Sequence, residues 1–305
     1  MPKLNQLAYL GFAKETTWGT GVAPTVWYPF ESAKPDNVTN TVVDNGKRGH
    51  ITKDYAVIPT TKSATIDVEG NLYTNEIGHI LNALLTTRAT SGTSPYTHVF
   101  KASETQRSLT FQHFNGSDER QYAGFVIDEL TLKGDAEGIV TVSWKAQGKS
   151  GSIVANSTPA ISSTLSEITG VNCSLTIDGA ANTNLFGFEI TIKRENKLIF
   201  GANATQNPSK AAQGAVEVTG KLTFDVEGNT EYAMYDAQAY KTLVLTLGTS
   251  ASNSLVITMT RAFIEKASFD DGDVSLRVDW EVRGLYNPTD AGPVAVTLKN
   301  TTTTY

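Results

Sequence analysis

Cysteine occurs once in the 305 residues, at Cys173, so no disulfide can form within the chain and nothing ties it to an oxidising compartment. No run of 18 apolar residues occurs, which leaves no membrane-spanning helix to expect. The opening Met1-Pro2-Lys3-Leu4-Asn5-Gln6 lacks the apolar core of a signal peptide, and the expectation is a soluble protein made in the cytoplasm. Positive charge is in deficit: the net charge is −6 and the sequence pI about 5.3, which argues against binding nucleic acid by neutralising phosphates. The motifs of common chemistry are missing too. There is no Gly-rich phosphate loop, His-Glu-x-x-His, Cys-x-x-Cys or Gly-x-Ser-x-Gly. His50, His79, His98 and His113 fall in four different elements of the first half, and the second half has no histidine. No catalytic residue, cofactor site or metal site is therefore expected.

What the chain does hold is Thr, Ser, Asn and Gly in quantity, with only 18% charged residues. That is the composition of an all-β protein with many turns. The length suits about two domains. One string occurs twice, Asp67-Val68-Glu69-Gly70-Asn71 and Asp225-Val226-Glu227-Gly228-Asn229. Side chains alternate along a strand, so Thr65, Asp67 and Glu69 share one face and Ile66 and Val68 the other. In the second copy Thr223, Asp225 and Glu227 oppose Leu222, Phe224 and Val226. A shared pentamer alone is weak, and it needs support from its surroundings.

Further landmarks recur in the same order. Val142, Trp144 and Gly148 match Val278, Trp280 and Gly284 in spacing; Ser108-Leu109-Thr110-Phe111 resembles Ser254-Leu255-Val256-Ile257, and Phe125 to Leu132 resembles Phe263 to Phe269. The offset falls from 158 at the acidic string to 146 and then 136, as expected if the second copy has shorter connections. An internal duplication with domains at 1–160 and 161–305 follows, joined through the Ser/Thr/Gly-rich stretch 148–167.

Within each copy the pattern predicts strands and a single helix. Residues 1–24 read as an arm that packs on something, because Tyr9, Leu10, Phe12 and Trp18 suit solvent poorly. A strand is expected at 25–31, then a long polar connection at 35–62 with the turn signal Asn45-Gly46, matched by 195–220 in the second copy. Ile77, Ile80, Leu81, Leu84 and Leu85 form a helical stripe, with Thr74 or Asn75 to cap it. The counterpart helix is expected from Thr230 to about Lys241, with Tyr232, Tyr235 and Ala239 on one face. Residues 88–104 read as an inserted loop, and hairpins are expected at Asn115-Gly116, through Lys133-Gly134-Asp135 and through Asp270-Asp271-Gly272-Asp273. Val140, Val142 and Trp144 should share a face, as should Leu276, Val278 and Trp280. Each copy is expected to end in a short added strand, at Pro159-Ala160-Ile161 and Pro293-Val294-Ala295, and the second copy to open at 173–177 and 186–192.

The arm with Glu15-Thr16-Thr17-Trp18-Gly19-Thr20, the long polar loop, the strand ending Val-Glu-Gly, the helix, the Ser-Leu-Thr strand and the Gly124-Phe125-Val126-Ile127-Asp128-Glu129-Leu130 hairpin resemble the major tail tube proteins of long, non-contractile-tailed bacteriophages. The resemblance implies a mainly β fold, two tandem tail-tube-like β-sandwich or barrel domains, each with one flanking α-helix. It implies a structural virion protein of the phage tail that assembles into stacked rings for genome delivery. Its partners would be itself, the tail completion and tail tip proteins, and passing double-stranded DNA without specific binding. Family members form six-fold rings, so a duplicated chain implies three per ring. The arm, 35–62 and 195–220 would contact the next ring, and Asp67, Glu69, Asp225 and Glu227 would line the bore. A different class, a non-enzymatic β-rich module binding a receptor or carbohydrate, fits the composition but should show an aromatic platform.

Overall fold

Alternation of apolar and polar side chains runs through most of the chain, and strands are its outcome. The computed structural model describes residues 4–161, 165, 167–250, 252–270 and 275–305. In the first half these are β1 (Tyr9–Lys14), β2 (Val26–Tyr28), β3 (Ser32–Asp44), β4 (Ala56–Asn71), β5 (Thr86–Ser91), β6 (Tyr96–Ala102), β7 (Leu109–Phe114), β8 (Glu119–Asp135), β9 (Thr141–Gly148) and β10 (Ser152–Val154). The second half holds β11 (Cys173–Ile177), β12 (Ala180–Asn182), β13 (Leu185–Ile199), β14 (Lys210–Asp225), β15 (Lys241–Ser250), β16 (Asn253–Asp270), β17 (Arg277–Gly284) and β18 (Ala295–Asn300). Two helices interrupt them, α1 (Thr74–Leu85) and α2 (Thr230–Asp236).

Eight strands form one antiparallel sheet in the order β3, β4, β9, β8, β13, β14, β17, β16. Its midpoint is the pairing of β8 with β13, where the two halves meet. Two further layers cover it. One runs β2, β1, β7, β8, β10, and the other β12, β11, β15, β16, β18, β6, β5. β8 and β16 belong to two layers each, and both bend at a bulge, between Ile127 and Glu129 and between Ile264 and Lys266. A bulge lets one strand turn out of one sheet and into another.

The tryptophan strands β9 and β17 give the two groups of four strands a common reference. Trp144 lies opposite Val68 on one side and Leu130 on the other; Trp280 lies opposite Leu222 and Ala267. Counted from these tryptophans, Asp67 corresponds to Lys221, Glu69 to Thr223 and Asn71 to Asp225. The repeated pentamer is thus four residues out of step with the pairing scheme, and its two copies occupy different places. The Ser-Leu landmark is misplaced as well: Ser254 to Ile257 lies in β16, while the strand that pairs with β16 as β7 pairs with β8 is β15. The tryptophan strands hold their match. Their glycines do too, for a Cβ on Gly148 would meet the Phe125 ring at 2.2 Å and one on Gly284 the Pro293 carbonyl oxygen at 2.7 Å.

The core fills the space between layers. Trp144 stacks on Phe111 with centroids 5.2 Å apart, and Trp280 lies 4.6 Å from Phe224. The expected stripe of α1 is fully buried, but its cap is Tyr73 with no side-chain hydrogen bond, because Thr74 already sits in the first turn and bonds Asn253. α2 stops at Asp236, five residues before the expected end, and Ala239 is exposed. Without an apolar stripe comparable to that of α1, little packing holds it longer.

Four other expectations are corrected. Residues 88–104 are no loop but the β5 and β6 hairpin, and His98 and Phe100 of β6 are buried where it meets β18. The stretches at 35–62 and 195–220 are mostly the arms of two long hairpins, β3 with β4 and β13 with β14, connected at 45–55 and 200–209. The arm does pack, as expected, and it does so on its own chain through β1, which pairs with β2 and β7. Buried Glu15 ties it down by accepting from Gly19 N, Ser108 Oγ, Thr110 Oγ1 and Gly124 N, all within 2.6–2.7 Å. Residues 159–161 form no strand, and Leu276 is exposed while Val278 and Trp280 are buried. Most of the turn expected at Asp270 to Asp273 lies outside the described residues.

Candidate functional site

The uncovered face of the eight-stranded sheet carries most of its charged side chains, placed there by period two while the other face packs into the core. Asp67 and Glu69 stand exposed on it, and Asp225 closes β14 on the same side. Glu227 lies past the end of β14, exposed in the turn before α2. Their neighbours are the part that a reading of single strands missed. Across six strands the register aligns Lys34, Asp67, Lys145, Glu129, Lys193 and Glu217, in strict alternation of sign. A second row aligns Lys133, Glu189, Lys221, Glu281 and Lys266.

Ion pairs follow these rows. Glu129 takes Lys193 at 3.0 Å and Lys145 at 3.6 Å, Glu281 takes Lys266 at 2.9 Å, and Asp279 takes Lys221 at 2.7 Å. Arg277 reaches Asp225 at 3.1 Å, and Arg283 joins Glu217 to Glu265. The hydrogen bond that Lys193 donates to Glu129 raises its pKa, and the one that Lys221 donates to Asp279 raises that of Lys221. Exposed pairs of this kind add little stability one by one. Their effect is on the field: the face is a lattice of both signs, not a ring of bare carboxylates.

A groove of about 480 Å³ crosses the junction of the halves between Asp128, Gln147, Lys193 and Asn196. Burial raises the pKa of the Asp128 carboxyl, and its oxygen accepts from Gln147 Nε2 at 2.9 Å and Asn196 Nδ2 at 2.8 Å. Those amides hold the β8 bulge in place. The four histidines serve packing or solvent: His50 is exposed, and His79 and His98 both press on the Tyr305 ring. His98 donates from Nε2 to the Thr302 carbonyl, leaving Nδ1 to accept from Thr90. Among the described residues no group of His, Cys, Asp and Glu is arranged to hold a metal.

Both ends of the sheet are open. β3 pairs only with β4, and residues 263–270 of β16 pair only with β17, among the described residues. The outer half of the first hairpin also exposes Val42, Val43, Val57 and Ile58, with Val42 opposite Ile58 and Val43 opposite Val57. The second hairpin instead rests on the first, where Gln206 O accepts from Lys62 N at 2.8 Å.

A family model described as phage tail tube protein matches residues 5–297. No curated protein matches the chain.

Proposed function

The chain belongs to the phage tail tube protein family, a structural component of the virion tail, and from that premise we propose that three copies close into a ring, that rings stack, and that the bore conducts the genome. The observation that carries this reading is the pair of open sheet edges at β3 and β16, together with the internal junction of β8 and β13, which displays how such edges join. Unpaired edges expose rows of backbone donors and acceptors that pairing with another chain satisfies, and closed symmetry removes them all. The proposal includes the duplication, with units at 1–160 and 161–305: the strand order, register and bulge positions of the first four strands of the long sheet recur in the other four. Three such chains supply six similar units.

In that ring the uncovered face of the long sheet turns to the bore. Asp67, Glu69 and Asp225 then stand in the lining among lysines and arginines, with Glu227 at its rim. Double-stranded DNA carries one negative charge per about 1.7 Å of axis. A lining of alternating sign offers it neither a sustained attraction nor a barrier, so it passes without specific binding. Negative-stain electron microscopy of the purified protein tests the reading. It predicts rings or tubes with a bore; a monodisperse monomer at all concentrations and salts would contradict it.

A further inference from the structure

We infer that the joint between chains is coded by an ion pair of inverted sign: β16 of one chain pairs antiparallel with β3 of a second copy, in the register that sets Asp270 beside Lys34. The inference rests on the ring reading and names the partner strand and its alignment.

The internal joint supplies the template. There Lys133 lies opposite Glu189, Leu132 opposite Ile190, Thr131 opposite Thr191 and Glu129 opposite Lys193. Lys133 and Glu189 approach to 3.8 Å, and the two threonine hydroxyls to 2.9 Å. Positions on the outer strands are fixed by counting from the tryptophans. Leu130 faces Trp144 as Ala267 faces Trp280, so Asp270 holds the place of Lys133, Phe269 that of Leu132 and Ser268 that of Thr131. On the other side, Ala33 faces Val68, which faces Trp144, as Phe188 faces Leu222, which faces Trp280. Lys34 therefore holds the place of Glu189, Pro35 that of Ile190 and Asp36 that of Thr191. The bulges agree: β3 shifts register between Thr39 and Thr41, and β13 between Arg194 and Asn196, at corresponding places.

Both members of the pair have changed sign, and the pair is complementary again. Joined this way, the row Asp225, Arg277, Asp270 of one chain runs on into Lys34, Asp67, Lys145 of the next, alternating without a break. Phe269, 51% exposed in the single chain, comes against Pro35. β8 and β13 are already paired with each other, and the inversion also guards that joint against exchange with a second copy. Pairing β8 with β3 of another copy would set Lys133 against Lys34, and pairing β16 with β13 would set Asp270 against Glu189. Like charges directly opposite each other on a sheet are unfavourable, so the chain order first half, second half, first half is the one selected.

The test is charge reversal with cross-linking. Lys34 is exposed, and Lys34→Glu, which also faces Asp67 in its own chain, is expected to unfold only slightly below the parent and to lower ring yield at least about tenfold, since it sets two carboxylates face to face across the joint. Lys34→Glu with Asp270→Lys restores opposite charges across the joint, though it sets like charges beside Asp67 and Arg277 within each chain, and should raise the yield at least about threefold over Lys34→Glu alone. In a Cys173→Ser background, Asp36→Cys with Ser268→Cys should form a disulfide between chains in assembled rings. Rings of the cysteine variant that form without such a cross-link, or a double reversal that assembles no better than Lys34→Glu, would overturn the register while leaving the ring itself intact. A parent that forms no ring would instead remove the reading on which this one rests.

Discussion

Arg194 Nη1, on β13, donates to the Leu84 carbonyl at the C-terminal end of α1, 2.8 Å away, and so a strand of the second half closes the helix of the first. The same guanidinium reaches Ser103 O at 2.8 Å, Thr86 Oγ1 at 3.2 Å and Gly214 O at 3.2 Å, and it is buried. Among the described residues no ion pair with a carboxylate balances it. Four acceptors and the negative end of the helix dipole take its charge instead. Arg194→Met leaves those acceptors dry and should cost about 3 kcal/mol in urea unfolding. Arg194→Lys should recover only part of this, because an ammonium cannot fork to acceptors on several sides.

Acid should weaken the fold through His79. Burial, with Arg88 a smaller contributor, lowers its pKa from 6.5 to about 4, and its ring packs on Phe12 and Tyr305. The unfolded chain takes up the proton first, so this contribution is whole above pH 6.5 and is lost as pH falls from there towards 4. It amounts to about 3 kcal/mol over that window. His79→Phe should flatten the curve between those limits by a similar amount. His98 and His113 shift in the same direction and will leave a residual slope, so the difference between parent and variant is the quantity to measure.

Stacking is expected to depend on the first hairpin. Its outer half is apolar and exposed, and its connection at 45–55 touches little of its own chain. Replacing 45–55 with a two-residue turn should leave thermal unfolding unchanged and rings intact, but stop their growth into tubes. Tubes of normal length would assign the stacking contact elsewhere.

The proposed lining can be tipped towards positive charge by changing Asp67, Glu69 and Asp225 to Lys. Subunits should still fold, since all three carboxylates lie on the uncovered face. Tubes carrying them should retain DNA or release it slowly at low salt and recover as salt screens the charges. Ejection kinetics unchanged at low ionic strength would place these residues away from the bore.

Much of this architecture was legible in the sequence because one face of a strand was buried. Trp144 and Trp280, their glycines and the α1 stripe marked the core correctly, and Cys173 to Ile177 was bounded to the residue. The hairpin of β3 and β4 was not, since Val38 to Val43 are exposed on both faces and give no period-two signal. The acidic pentamer misled in a different way. Asp67 and Asp225 share a sequence context but not a place in the sheet, and only pairing shows that Lys221 is what answers to Asp67. The charge rows were equally invisible, because Lys145 and Lys193 reach Glu129 from strands distant in sequence.

Three chains per ring is the claim on which the rest turns, and native mass spectrometry of purified single rings measures it directly. The account predicts a ring of three 32.8 kDa chains, with the same mass held by the Asp36→Cys and Ser268→Cys cross-linked species after the rings are denatured. A ring of six complete chains would contradict it.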